Sequence, residues 1–167
     1  MCNLETQTVP VSQLAIDHVA IAVRDLDAAV DYYERHLGFE VAERRETHGD
    51  ATAMRSVVVR RENLTFVLLQ GTDEASSIAR YVEAYGPGVH HIALHTDDVR
   101  ATVADFEARG AQFSTRVVSA PGLKQTFTVR DPNSGIMLEI IQRHEEQGFD
   151  DGNVAALFRD LERSDTV

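Results

Sequence analysis

His18 and His91 stand at the same place in two copies of one short stretch. Ile16-Asp17-His18-Val19-Ala20-Ile21 returns as Val89-His90-His91-Ile92-Ala93-Leu94. The closing stretches of the two copies also match, Thr65-Phe66-Val67-Leu68-Leu69-Gln70 against Met137-Leu138-Glu139-Ile140-Ile141-Gln142, and set Glu139 in a run otherwise apolar from Ile136 to Ile141. A buried carboxylate without a partner is strongly unfavourable, so Glu139 needs a cation or strong donors beside it. Two imidazoles and one carboxylate on strand positions form the donor set of an octahedral site with open positions, the arrangement that holds non-haem Fe(II). A lone strand histidine is more often a hydrogen-bonded structural residue. Repeat equivalence changes the weighing, because both rings should then face one cavity. His18, His91 and Glu139 are therefore the expected metal ligands and catalytic residues. The first-copy counterpart of Glu139 is Val67, which cannot ligate, so three coordination positions stay available.

The elements that carry these residues follow from periodicity. Residues 16–23 alternate and read as a strand, and Asp25 caps a helix whose Leu26, Ala29, Val30, Tyr33 and Leu37 share a face and which stops at Gly38. Three strands follow, near 39–46, 52–60 and 64–70. The second copy repeats this: a strand at 89–95, then a helix capped by Asp97 or Asp98 with Val99, Val103 and Phe106 inward and Gly110 at its end. Its remaining strands are expected near 112–118, 124–130 and 136–143. A linker helix at 74–85 should bury Ile78, Tyr81, Val82 and Tyr85. A terminal helix at 153–163, with Asn153 as N-cap, should bury Val154, Leu157, Phe158 and Leu161.

The fold class is thus α+β. Two paired βαβββ modules (15–71 and 88–143) form a curled eight-stranded sheet around a metal cavity, with a C-terminal helix as lid. Residues 1–14 read as a loosely held tail, and 15–167 as a single domain. Ala20 and Ala22 share the strand face of His18, and Ala93 and His95 that of His91, so small residues leave room beside the ligands. His90 takes the opposite face by alternation, and His95 is an outer partner at best. His36, His48 and His144 read as surface residues.

Composition narrows the partners. The 167 residues carry a formal charge of −11, which disfavours nucleic acid and anionic membrane as partners. No apolar run is long enough to span a bilayer, and residues 1–14 lack the pattern of a secretory signal. The one cysteine, Cys2, excludes an internal disulfide and fits a reducing cytoplasm. No phosphate-binding loop or nucleophile elbow is present, and Asp150-Asp151-Gly152-Asn153 lacks the spacing of a calcium loop.

The strand-helix units with His18, His91 and Glu139 so placed resemble the vicinal oxygen chelate superfamily over residues 16–143. Four segments narrow the likeness: Met54 to Val59, Gly88 to Asp98, Leu138 to Arg143 and Gly148 to Phe158. These resemble the catalytic C-terminal half of 4-hydroxyphenylpyruvate dioxygenase and 4-hydroxymandelate synthase. The resemblance implies Fe(II) on His18, His91 and Glu139, a 2-oxo acid chelating it, dioxygen as co-substrate, and decarboxylation with hydroxylation. It also implies substrate contacts from Ser56, Gln70, Gln125 and Phe149, the last on the segment that closes the cavity. The plain alternative is solvent-facing strand positions for Ser56 and Gln125 and a packing role for Phe149.

Three departures bear on the substrate. Val117 to Lys124 is shorter than in that family, His90 stands where it commonly has Gln, and Val154 where it commonly has Phe. A methylmalonyl-CoA-epimerase-like isomerase is the second reading, since Gly86 to Ala93 resembles that family too. Its members place a fourth ligand where Val67 stands. A non-catalytic small-molecule-binding protein of the same fold is the third. A homodimer is compatible with paired-repeat domains, though the sequence fixes no number.

Overall fold

In the computed structural model, which describes residues 13–120, 122–143 and 151–164, eight strands form one curled mixed sheet. Module one supplies β1 (Ala15–Ala22), α1 (Leu26–Asp31), β2 (Glu40–His48), β3 (Ala53–Arg61) and β4 (Leu64–Gly71). After α2 (Ser77–Tyr85), module two supplies β5 (Gly88–His95), α3 (Val99–Ala108), β6 (Val118–Ala120), β7 (Leu123–Phe127) and β8 (Met137–Arg143), and α4 (Asp151–Ser164) follows. The strand order β2-β3-β4-β1-β5-β8-β7-β6 puts the same four-strand order in each half and joins the halves through antiparallel β1 and β5. The two histidine-bearing strands are therefore neighbours at the centre of the sheet. No helix among the described residues is long and apolar enough to cross a membrane.

Each module holds its helix to its sheet by the same device. Asp25 caps α1 by accepting from the Ala28 N–H, and Asp98 caps α3 by accepting from Arg100 and Ala101, which selects Asp98 over Asp97. The first residue of each helix then donates its N–H to a glutamine on the closing strand: Leu26 to Gln70 Oε1 at 3.0 Å, Val99 to Gln142 Oε1 at 3.1 Å. Gln70 Nε2 also donates to the Arg24 carbonyl at 3.0 Å. These bonds satisfy helix-terminal N–H groups that would otherwise lack partners. Gln142 is buried and Gln70 only half-buried. Gln142→Ala should therefore destabilise by about 2 kcal/mol and Gln70→Ala by about 1 kcal/mol, read from urea unfolding.

Four expectations are corrected in detail. The helix after Asp25 runs from α1 into a π-helical turn, Tyr32–His36. The wider turn displaces the 3.6-residue pattern, so Tyr33 packs on Phe39 and Phe66 while Leu37 is exposed. Tyr85 is 63% exposed, although Ile78, Tyr81 and Val82 are buried as expected. The strand expected at 112–118 forms instead at Val118–Ala120. Upstream, Thr115 Oγ1 accepts from the Phe127 N–H at 2.8 Å, so a side chain takes the place of a backbone rung and interrupts the ladder. Finally, α4 is already helical at Asp151, so Asn153 lies inside it rather than at its N-cap.

Candidate metal centre

The registry across the β1–β5 joint builds the site. His18 pairs with Ala93 and Ala20 pairs with His91, so each ring faces space left by the other module's alanine. Ala93 in turn pairs with Glu139 on β8, and Ala20 with Val67 on β4. Two reciprocal rows result: Glu139–Ala93–His18 and Val67–Ala20–His91. The internal symmetry is broken at one place, where a carboxylate is answered by an isopropyl group.

The three polar members converge. Glu139 Oε2 lies 3.3 Å from His18 Nε2 and 3.4 Å from His91 Nε2, and one potential ligand atom from each residue falls within 4.8 Å of the others. Donors bound at about 2.1 Å to one ion sit roughly 3.0–3.4 Å apart along an octahedral or tetrahedral edge, so these separations fit a single shared cation. All three residues are buried, His18 and Glu139 to 2% exposure. Burial would lift the Glu139 pKa, but hydrogen bonds from His18 and His91 prevail and hold it at about 2. Burial would depress the His18 pKa, but Asp17 and Glu139 prevail and raise it to about 9. Burial prevails at His91, whose pKa is lowered. The donor chemistry and the geometry fit one hard or borderline divalent metal ion.

Both histidines present Nε2 to the centre, and their Nδ1 atoms are engaged behind it. His18 Nδ1 bonds Asp17 Oδ1 at 2.7 Å, and Arg143 grips Asp17 with Nε at 2.9 Å and a terminal nitrogen at 3.0 Å. His91 Nδ1 lies 2.9 Å from His90 Nδ1. Asp17 and His90 are equivalent in the repeat, and the β1–β5 registry shifts by one residue at each. That irregularity overturns the expected orientation of His90: it lines the cavity together with His91. Alternation alone could not reveal this. Such outer partners fix ring orientation and tautomer for metal binding. The signal for Asp17 was available, since a charged residue beside a repeat-equivalent ligand asks for a partner, but Arg143 is distant in sequence.

The centre opens into a cavity of about 80 Å³ whose walls are mostly apolar, with Met54, Val58, Leu69, Ile78, Phe127 and Phe158 among them. Val67 lines it, opposite in the repeat to Glu139. Ser56 and Gln125 line it. Gln125 is 1% exposed, and its Nε2 has no hydrogen-bond partner among the described residues. A buried amide donor without a partner is costly, so this one has a hydrogen bond to offer beside the cavity. Gln70 does not belong here: β4 turns Val67 and Leu69 to the cavity and Gln70 to the other face, where it holds α1. Phe149 lies outside the described residues. His95 is half-buried and does not line the cavity.

Helix α4 covers the cavity with Val154 and Phe158. Its far end is latched to the β2–β3 turn, where the Glu162 carboxylate accepts from the Asp50 N–H at 2.8 Å, the Thr52 N–H at 3.0 Å and the Thr52 hydroxyl. Arg163 adds an ion pair to Asp50 at 2.6 Å.

Comparison with known proteins agrees with this construction. A 4-hydroxyphenylpyruvate dioxygenase from Pseudomonas aeruginosa is 31% identical over 88% of this chain and 51% of its own length. The chain spans about half the length of the curated relatives it matches. A 4-hydroxymandelate synthase variant from Streptomyces coelicolor superimposes with a TM-score of 0.81 at 24% identity, over 92% of this chain and 55% of that one. A methylmalonyl-CoA epimerase from Mycobacterium tuberculosis superimposes with a TM-score of 0.65 at 25% identity, over 78% and 89% respectively. The family model for the Glyoxalase/Bleomycin resistance protein/Dioxygenase superfamily matches residues 15–140. With two βαβββ modules closing on a His-His-Glu centre, the chain belongs to that superfamily.

Proposed function

We propose that the protein is an Fe(II)-dependent dioxygenase that chelates a 2-oxo acid and couples its oxidative decarboxylation to hydroxylation. One observation carries the reading: three buried donors converge at the head of an apolar cavity, and the fourth position that symmetry offers is Val67. In this reading His18, His91 and Glu139 hold the ion on one face. Bound Fe(II) supplies a Lewis acid for the chelating oxygens and the electrons that activate dioxygen.

The protein's own part is placement. The Asp17–Arg143 pair holds the His18 ring from its Nδ1 side, so that Nε2 is the atom that would ligate. The open Gln125 amide donates to a substrate oxygen, and Ser56 offers a hydroxyl on the same wall. Phe127, Val154 and Phe158 keep bulk water from the reacting atoms. One 2-oxo acid and one dioxygen are consumed, and one carbon dioxide and one hydroxylated carboxylic acid, shorter by one carbon, are released. A second copy of the chain is the proposed partner in solution.

The similarity to epimerases supports a metal-dependent isomerase as the second reading. It needs a cavity base, and the carboxylate beyond Glu139 that lines the wall is Glu43, already paired with Arg45. The test is ferrous protein, prepared without oxygen and then mixed with oxygenated buffer and a panel of 2-oxo acids. Oxygen uptake and carbon dioxide release in equal amounts are expected. Absence of uptake across the panel, with oxygen-independent exchange of the proton next to the carbonyl, would replace the dioxygenase by the isomerase.

A further inference from the structure

Methyl groups meet the open side of the metal centre. Val67 pairs with Ala20 and Ala20 with His91, just as Glu139 pairs with Ala93 and Ala93 with His18. Val67 therefore stands two strand spacings, about 10 Å along the sheet, from the strand of His91. Glu139 spans the same two spacings, and its carboxylate comes within 3.3 Å of His18 Nε2. Val67 lines the cavity from the matching place in the other half, so its methyl groups border the coordination positions that the three donors leave open.

The wall continues from Val67 in the same character. Val58 on β3 pairs with Val67, and Leu69 lies one inward position further along β4. With Met54, and with Ile78 from α2, they form one packed cluster that takes in Ala20, the partner of His91, and Phe158 from α4. Beyond His18, the polar side chains that module one brings to the cavity, among the described residues, are Ser56 and the pair Glu43 and Arg45. Glu43 and Arg45 are bonded to each other on edge strand β2. A charged tail laid on this wall would give up its water and meet methyl groups, which is strongly unfavourable.

Size adds a second restriction. The cavity of about 80 Å³ is roughly half of the ~150 Å³ in which an apolar protein cavity takes up one benzene ring. An acid with an aromatic tail must house ring and head group together, and would have to push back Phe158 or the strand side chains. Packed walls resist such overfilling. A compact alkyl tail asks for the smallest displacement and still covers the methyl surface.

We propose that this wall selects 2-oxo acids with a compact, uncharged alkyl tail, and that Val67, Val58, Leu69 and Met54 are its specificity-determining residues. The inference rests on the proposed chelation of a 2-oxo acid.

The test compares pyruvate, 3-methyl-2-oxobutanoate, 2-oxoglutarate, phenylpyruvate and 4-hydroxyphenylpyruvate. Binding is measured by calorimetry on protein loaded with zinc, which cannot turn over. Each added apolar carbon should tighten binding roughly fourfold, so wild type should hold 3-methyl-2-oxobutanoate about 15-fold more tightly than pyruvate. It should also prefer that acid by about tenfold or more over 2-oxoglutarate and over both aromatic acids. Met54→Ala enlarges the cavity and should narrow the gap to phenylpyruvate about tenfold, while leaving 2-oxoglutarate weak. Tightest binding of 2-oxoglutarate or of an aromatic acid by wild type, or a gap to phenylpyruvate that Met54→Ala leaves unchanged, would overturn the assignment. If Met54→Ala does not fold, the wild-type ranking decides alone. The expected ranking with no oxygen uptake by the iron-loaded protein removes the dioxygenase and leaves the selective wall standing. Oxygen uptake fastest with 2-oxoglutarate or an aromatic acid does the reverse, and binding of none of the five removes both.

Discussion

Glu139→Ala should give a protein that no longer retains a divalent ion, with affinity reduced by more than about a thousandfold. Removing an outer partner of a metal-binding histidine lowers affinity by roughly 10- to 100-fold, and loss of a ligating carboxylate exceeds that. The carboxylate also carries the negative charge that a dication needs in a water-poor cavity. Asp17→Asn keeps the three ligands but loosens the grip on His18 Nδ1, so it should fall within the outer-partner range. Equilibrium dialysis against Co(II), with thermal unfolding followed by circular dichroism, separates lost ligation from lost fold. Glu139→Gln preserves side-chain volume and serves as the control if Glu139→Ala unfolds. Stoichiometric, tight metal in both Glu139 variants would mean that the ion sits elsewhere and would remove the basis of the proposed chemistry.

Much of the architecture was legible because the chain states it twice. Strand alternation, aspartate caps and terminal glycines recur at matching places, and a paired repeat leaves few ways to close a sheet. The convergence of His18, His91 and Glu139 follows from the same duplication. What escaped were local departures from periodicity. The registry shift at His90 reverses a face that simple alternation assigns, and the π-helical turn after α1 sends Leu37 outward. Thr115 replaces a ladder bond with its hydroxyl and delays β6. Gln70 is a different kind of error, since the sequence held its correction. Alternation from Val67 through Leu69 already turns Gln70 away from the cavity, and its repeat counterpart Gln142 argues for a shared structural duty. Family position suggested a substrate contact; the hydrogen bonds to Leu26 and Arg24 show a helix anchor. Arg45, between Arg44 and Glu46, reads as part of a solvated run until the curl of the sheet brings it to the cavity wall.

Metal affinity should rise about tenfold per pH unit from pH 7 to pH 9, about a hundredfold in all, and then level off. A ligating imidazole must be neutral. Without metal, His18 is buried, which opposes charge, but hydrogen bonds to Asp17 and Glu139 raise its pKa from 6.5 to about 9. At pH 7 the ion must therefore displace one proton. His91 has a lowered pKa and Glu139 titrates at about 2, so neither adds to the slope in this range. The sign for stability runs the other way. Because His18 has a higher pKa folded than unfolded, its contribution to the metal-free fold is complete below about pH 6.5 and is lost as pH climbs through about 9. Glu139, with its depressed pKa, contributes above about pH 4.5 and loses that contribution only towards pH 2. The metal-free protein should thus melt at lower temperature at pH 9 than at pH 6.5, while Co(II) stabilises it more strongly at pH 9. Calorimetric titration of Co(II) at pH 7, in buffers of different ionisation enthalpy, should count about one proton released per ion. Affinity that stays flat between pH 7 and pH 9, with no proton released, would show that His18 is neutral before the metal arrives and that Asp17 positions the ring without charging it.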